Sequence, residues 1–592
     1  MRTNRKTEEK KMSMNKNIAR LAVTAGLTAA LSFGGVMAPV TMAFAAEGAT
    51  ATTNSITINK NKNNGDVKYK AYQIFKADVV DPTEEGATDK IVSNVKWAID
   101  NTATQDAIIN AIKEDSAYKT SNPKPSIVTA QDVADWLTEN VIGTTPETVV
   151  NKDHLLNKIA AIVKKDVQAT GNSFSAGDSF TVPNDDKDSP KTGYYLFLTD
   201  ESSLSTPEAA KKNTGTSPIF AVVGGSSVTV TEKTSIPTVE KKIKNDDGSD
   251  WADKADSQMG QKVKYKLTGT VASNIATFDT YQYEFSDQLS NGLTADDGSV
   301  IVKIGNTTLS RNATPGADTG YDVSIDGATN TLTVKFTDLK AAAQQAGATL
   351  NGSSNVVVTY TAQLDSTKAE KVVVGGTGNE NTVKLTYSNN PMGEGKGESV
   401  SDTVRDYTYA LKLVKEDSAD ENTKLDGVKF TIQATDPDDA SSKDMYVNDE
   451  GILVANPVEL ETKNGGIIEV KGLDAGTYTV KETHTLGGYN TLPDFTFKIS
   501  TVKADGTDSL KQPEGDNTLS VSVIKSDVDL VKEPSVKNGT VTLTIQNKQG
   551  SGLPLTGLNG VTFTWIAGGA VLVIGVAHLI RSRKQAEESE QE

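Results

Sequence analysis

Apolar and polar residues exchange places at a spacing of two over many short runs, and clusters of Thr, Asn, Asp and Gly separate those runs. That period sets one face of an extended strand against a core and the other in water. Val239, Lys241 and Ile243 fall in one phase. So do Tyr281, Tyr283, Phe285 and Asp287, and again Asn381, Val383, Leu385, Tyr387 and Asn389. Further along, Leu411, Leu413 and Lys415 share a phase. Tyr478, Val480 and Glu482 do the same, as do Val541, Leu543, Ile545 and Asn547. Helical spacing is concentrated early in the chain. Ile108, Ile109 and Ile112 form one stripe. Val133, Trp136 and Leu137 form a second behind the candidate cap Thr129. Leu155, Leu156, Ile159 and Ile162 form a third. A short helix is expected over 338–346. The predicted class is mainly β, with three tandem β-sandwich domains over 46–233, 238–408 and 409–548, the first carrying a helical insertion.

The two ends follow a different pattern. Basic residues crowd positions 1–20, an apolar stretch starts at Leu21, and Ala43-Phe44-Ala45 supplies small residues for cleavage before Ala46. This reads as a signal peptide over 1–45. At the other end Leu553-Pro554-Leu555-Thr556-Gly557 precede an apolar run over 561–580 and the basic Arg581-Ser582-Arg583-Lys584. About 20 apolar residues suffice to span a bilayer as a helix. The basic cluster keeps its own end in the cytoplasm, so the preceding residues lie outside the cell.

Composition narrows the chemistry. The 592 residues include no Cys, so covalent stapling of this exported chain must use something other than disulfides. A formal net charge of -17 argues against nucleic acid as a partner. The three histidines, His154, His484 and His578, are scattered, and neither HExxH nor GxSxG occurs. No ordinary enzyme site, cofactor site or metal site is predicted. The Gly-rich residues 393–397 read as a loop. Acidic runs at 245–250 and 436–439 lack the terminal Glu of EF-hand spacing and read as surface loops.

A Lys, an acid and an Asn each standing in phase with core residues is the unusual feature. Burial disfavours both charges, so the amine tends towards neutral and the acid towards protonated. A neutral amine is a nucleophile. A protonated acid can polarise the Asn carbonyl and carry the proton. Attack expels ammonia and leaves an isopeptide bond, with contact between the groups supplying most of the drive.

Several stretches resemble known families. The LPLTG pentapeptide, apolar span and basic tail over 549–592 resemble the cell-wall sorting signal of Gram-positive surface proteins. That resemblance implies a sortase cutting between Thr556 and Gly557 and passing the Thr556 carboxyl to an amine. PTVEKKI at 237–243, FSDQLSNGL at 285–293 and NTVKLTYSNNP at 381–391 resemble the isopeptide-forming middle domain of fimbrial subunits. YTVKET at 478–483 with the following GGY resembles the E-box of a Cna B-type pilin domain. The sandwiches implied are immunoglobulin-like, of Cna A and B type. Carried over residue by residue, the implied bonds are Lys241 to Asn389 beside Asp287, and Lys415 to Asn547 beside Glu482. Asn381 has the same facing as Asn389 and is the alternative, and Lys242 neighbours Lys241. The first domain carries GYYLFLTDE where an E-box would sit, without a matching Lys and Asn, so no bond is expected there.

VTVTEK at 228–233 is similar to the pilin motif VxVYPK, departing from it at Thr-Glu, and makes Lys233 the implied acceptor, with Lys241 and Lys242 as local competitors. The implied protein is a SpaA-like shaft subunit of a surface pilus, secreted and anchored to the cell wall. Its implied partners are identical subunits, minor pilins, a class C pilin sortase, a housekeeping sortase and peptidoglycan, with a host surface ligand left open. The alternative is a singly anchored adhesin, or a minor basal or tip pilin. No multiple-turnover catalysis is expected of the chain itself.

Overall fold

The computed structural model describes residues 22–23, 54–61, 64–81, 90–142, 151–183, 191–204, 213–246, 250–502, 505–511 and 529–550. The signal-peptide and sorting-signal expectations, including the apolar run 561–580 and the pentapeptide at 553–557, fall outside these residues apart from 22–23 and 549–550. Among the described residues no helix is long and apolar enough to cross a membrane.

The fold is mainly β, built from packed sheets that form sandwiches in series. In the first, strands run in the spatial order Lys90–Trp97, Lys68–Val80, Gly193–Thr199, Ile219–Val223. A small sheet of Ser179–Thr181, Ser55–Asn59 and Val228–Thr231 covers one face. Helices Thr102–Glu114, Ala130–Leu137 and Leu155–Asp166 cover the other. The predicted stripes supply that core, including Ile108, Ile112, Val133, Trp136, Leu155 and Ile159. Thr129 caps its helix with a full capping box: its side chain accepts from Asp132 N, and the Asp132 carboxylate accepts from Thr129 N.

Gly193–Thr199 is thus buried from both sides. Leu196 and Leu198 face the helices, while Tyr195 and Phe197 face the small sheet. An unbroken apolar run is what such a strand requires, because neither face meets water.

The second sandwich packs two large sheets. One runs Trp251–Ala252, Val239–Lys244, Val263–Thr270, Asn355–Leu364, Leu293–Ile304, Thr307–Thr308. The other runs Lys254–Asp256, Asp402–Tyr407, Asn379–Ser388, Tyr283–Leu289, Thr331–Phe336, Asp322–Asp326. The expected short helix is Leu339–Ala346, capped by the Asp338 side chain and closed by Gly347 in the left-handed region.

The third sandwich sets Ile467–Leu473, Tyr409–Asp417, Thr540–Asn547 and Ser535–Lys537 against a sheet centred on Lys429–Pro437 and Gly476–His484. Its first and last long strands, Tyr409–Asp417 and Thr540–Asn547, are parallel neighbours, with Ala410 opposite Thr540 and Asp417 opposite Asn547.

The double-sided burial of Gly193–Thr199 has a direct consequence. Leu196→Ala and Phe197→Ala alter adjacent residues that point in opposite directions, yet each is expected to cost about 3 kcal/mol in chemical denaturation of the first domain. In a strand with one wet face, one of the two would be nearly neutral.

Candidate functional site: two buried amine, carboxylate and amide clusters

In the third sandwich, the alternation of Tyr409–Asp417 turns Lys415 inward, and that of Gly476–His484 turns Glu482 towards it from the facing sheet. Asn547 closes the last strand beside them. The side chains of Lys415 and Glu482 are 0% exposed, and Asn547 is equally buried. Lys415 Nζ donates to Glu482 Oε2 at 2.9 Å and to Asn547 Oδ1 at 2.5 Å. Asn547 Nδ2 donates to Glu482 Oε1 at 2.9 Å and to Thr485 Oγ1 at 2.8 Å. One carboxylate therefore holds both the amine and the amide nitrogen. The Phe430 ring lies 5.4 Å from the amine. Burial pushes the Lys415 pKa down to about 8, with Glu482 opposing part of the shift.

In the second sandwich the elements differ. Lys241 and Tyr360 come from one sheet, Asp287 and Asn381 from the other. Lys241 Nζ donates to both oxygens of Asp287, at 2.6 Å to Oδ2, and lies 3.2 Å from the Tyr360 hydroxyl. That hydroxyl donates to Asp287 Oδ2 at 2.6 Å and accepts from Asn381 Nδ2 at 2.6 Å. Tyr265 and Tyr360 stack with centroids 5.2 Å apart, and Lys241 Nζ sits 5.3 and 5.5 Å from their rings. Lys241 is pushed down to about 8 by burial, against the pull of Asp287. Its neighbour Lys242 points outward and pairs with Asp253 at 2.6 Å.

The geometry reverses the expected order of the two asparagines. Antiparallel pairing sets Asp287 opposite Val383 and Leu289 opposite Asn381. Asn381 is thus two residues along the same face from the carboxylate. Asn389 stands six residues from Val383 in the other direction, about 20 Å of extended chain, and so lies away from Lys241. It serves the seam between the first two sandwiches. Its carbonyl accepts from Gly215 N at 2.7 Å, and its Nδ2 donates to Asn213 O at 3.2 Å. Asn381 Oδ1 is buried with no hydrogen-bond partner among the described residues. Tyr360, Tyr265 and Thr485 are members of these clusters that the sequence reading missed. Each belongs to a residue type with an ordinary place in a core or a turn.

The same three residue types meet once more, at the first seam. Lys164 Nζ donates to Glu201 Oε1 at 2.5 Å, and Asn390 Nδ2 donates to the same oxygen at 3.2 Å. Here the Lys and Glu side chains are 29% and 53% exposed. The hydrogen bond from Lys164 holds Glu201 below the usual carboxylate range. This is a solvated ion pair, and Glu201 is the acid of the GYYLFLTDE run.

Lys233 follows the strand Val228–Thr231. It is half-buried between the first two sandwiches, and its backbone N–H donates to Thr216 Oγ1 at 2.7 Å. Among the described residues its amine has no hydrogen-bond or ion-pair partner, and burial lowers its pKa. No group of three or more acidic or histidine side chains among the described residues could hold a metal ion.

Residues 410–512 match the family of the SpaA prealbumin-like fold domain. The chain is similar to the solved T6 backbone pilin of serotype M6 Streptococcus pyogenes, at 16% identity over 84% of this chain and 99% of that one, with a TM-score of 0.47. It is also similar to the full-length major pilin SpaD of Corynebacterium diphtheriae, at 15% identity, 84% and 98% coverage and a TM-score of 0.41. A third similar structure is the major pilin BcpA of Bacillus cereus, at 20% identity, 64% and 90% coverage and a TM-score of 0.36. No protein of curated function matches the chain.

Proposed function

We propose that this chain is the shaft subunit of a covalently polymerised cell-surface pilus, closed internally by isopeptide bonds from Lys241 to Asn381 and from Lys415 to Asn547. The observation that carries the reading is the third-sandwich cluster. An amine, its amide target and one carboxylate touching both stand in contact inside a dry core. A structural ion pair would not need the amide, and a surface pair would not need the burial.

The chemistry runs within the cluster. Lys415 Nζ passes a proton to Glu482 and attacks Asn547 Cγ. Glu482 hands that proton to Nδ2, the C–N bond breaks and ammonia leaves, and Nζ gives its second proton to Glu482, which ends protonated. Nζ–Cγ is the bond formed. Preorganised contact replaces an external catalyst, and each site reacts once. In the second sandwich Asp287 takes the acid's part, and the Tyr360 hydroxyl bridges it to the Asn381 amide. Each link encloses well over 100 residues, which the chain-entropy account rates at about 5 kcal/mol.

Between subunits, a sortase thioester at Thr556 is resolved by the amine of Lys233. The half-buried position of that amine and its burial-lowered pKa favour the neutral, nucleophilic form. A final transfer to peptidoglycan anchors the fibre. The second reading, a singly anchored adhesin or minor pilin, shares the internal links and has no use for Lys233.

Intact mass counts the bonds. The exported chain is expected to weigh about 34 Da less than its residues, one ammonia of about 17 Da per link. Asn547→Ala and Asn381→Ala should each abolish one loss, and Asn389→Ala none. A loss that persists in Asn381→Ala and disappears in Asn389→Ala would return the second bond to Asn389.

The proton count sets a pH profile. The reactive pair holds one proton in all, drawn either as ammonium with carboxylate or as amine with acid. Above about 8, the Lys415 value, that proton leaves and nothing remains to carry ammonia away. Bond formation after refolding should hold level from neutral pH to about 8, then fall about tenfold per unit, as followed by mass.

Wall extracts of producing cells should show a ladder of very high mass on immunoblots, collapsing to a single species in Lys233→Ala. A monomer-sized band in the wild type would instead support the second reading.

A further inference from the structure

One residue, Thr408, separates the strand Asp402–Tyr407 of the second sandwich from Tyr409–Asp417 of the third. Beside it, residues 257–260 hook into the third sandwich. Met259 N donates to Gly472 O at 2.7 Å, Gln258 Nε2 donates to Gly451 O, and Gln258 Oε1 accepts from Asp474 N at 3.1 Å. Gly472 has a φ of +89°, and a Cβ there would come within 2.6 Å of the Met259 side chain. The two sandwiches are therefore in close contact at this seam.

Carboxyl groups are buried in it. Asp256 and Asp474 are 2% and 4% exposed, and Asp406 is fully buried. Asp256 Oδ2 accepts from Tyr409 OH at 3.1 Å, while its Oδ1 is buried without a donor. Asp246 reaches in from the loop after Val239–Lys244. Its Oδ2 accepts from Gln261 Nε2 at 2.6 Å, its Oδ1 is buried without a hydrogen-bond partner, and its charge acts on Asp474 and Asp256. Asp406 is served by Ser257 Oγ at 2.9 and 3.0 Å.

The other titratable groups facing this cluster are Asp438 at its rim and the hydroxyls of Tyr265, Tyr409 and Tyr478. Lys254 lies two residues before Asp256. The 509–511 turn packs on the same strand and carries Lys511, paired with Asp508 at 3.2 Å. Burial first, and then the neighbouring acids, raise Asp256 and Asp474 well above the carboxylate value of 3.8, and burial raises Asp406 to about 7.

We propose that this seam is a proton-held joint, in which the second and third sandwiches stay docked while the buried carboxyls of Asp256 and Asp474 hold protons, and loosen as those protons leave. The sign follows from linkage. Docked carboxyls bind protons more tightly than free ones, so docking is strongest below the free carboxylate value and weakens as pH rises through the raised ones. The acidic runs at 245–250 and 436–439, expected as plain surface loops, thus each place an acid at the joint.

Hydrogen exchange of the full chain in EDTA, read by mass spectrometry on the segment containing Met259, tests this. After correction for intrinsic exchange, protection of that segment should drop about tenfold or more between pH 5 and pH 8. Asp474→Asn and Asp256→Asn, made separately in case one folds poorly, should each remove most of that drop. Equal protection at both pH values overturns the joint, and so does a drop that survives in both variants. Recovery of protection at pH 8 on adding calcium would overturn it in favour of a cation site.

Discussion

Water will not readily give up an ammonium group, and both closing clusters are built on that reluctance. Burying a charged amine without a partner is among the largest penalties a core can carry. Lys241 and Lys415 are nonetheless wholly enclosed, each against an acid from the opposite sheet. The enclosure lowers the amine's proton affinity, and the acid keeps the proton within reach. Lys164, Glu201 and Asn390 supply the contrast, where the same three residue types meet but the Lys and Glu side chains are open to water. There the Lys164 amine holds the carboxylate ionised and also donates to Met392 O. Residue type assembles the set, and burial decides whether its amine is stripped of water or stays an ordinary surface ion pair.

The two buried sets reach that state by different routes through the fold. In the third sandwich the lysine and asparagine strands are parallel neighbours in one sheet, and the acid comes from across the core. In the second, the lysine lies in one sheet while acid and amide lie in the other, so a link there would tie sheet to sheet. The wider gap brings in Tyr360, whose hydroxyl touches amine, acid and amide at once. A stacked tyrosine pair walls the second cluster and a single phenylalanine the third. What the two share is the chemical neighbourhood of the amine, reached from unlike strand orders.

Much of this was legible in the alternation. Period two alone turned Lys241, Asp287, Lys415, Glu482 and Asn547 inward, and helical spacing located the insertion and its Thr129 cap. It could not choose between Asn381 and Asn389, because residues eight apart on a strand share a face. The choice lay in register, in Asp287 pairing with Val383, which is a property of two strands and absent from either one. Tyr360 was hidden for a related reason, since an aromatic in phase within Asn355–Leu364 looks like filling until its hydroxyl has a neighbour. The carboxyls at the second seam sit on short strands and loops with no period to read. They became visible as a group only when residues about 70 to 220 positions apart were brought together.

Tracing tension through the proposed links shows why the third sandwich and the first should differ. Force entering at Tyr409 would pass along six residues to Lys415, cross to Asn547 and leave, bypassing everything between. The parallel register makes this possible, because entry and exit lie at opposite ends of adjacent strands and the ladder is loaded in shear. In the second sandwich the route would run from Val239 to Lys241, across to Asn381, and then through two further strands, Lys396–Glu398 and Asp402–Tyr407, before reaching Tyr409. That last stretch is held by hydrogen bonds alone, including the antiparallel pairing of Asn381 with Val404. If the neighbouring subunit is joined at Lys233, load enters after the last strand of the first sandwich, and that whole sandwich hangs outside the path. A unit that carries no tension has no mechanical need of a covalent closure. Its Lys164–Glu201 pair remaining open to water at the seam is then consistent with a junction at Lys233, eight residues before Lys241.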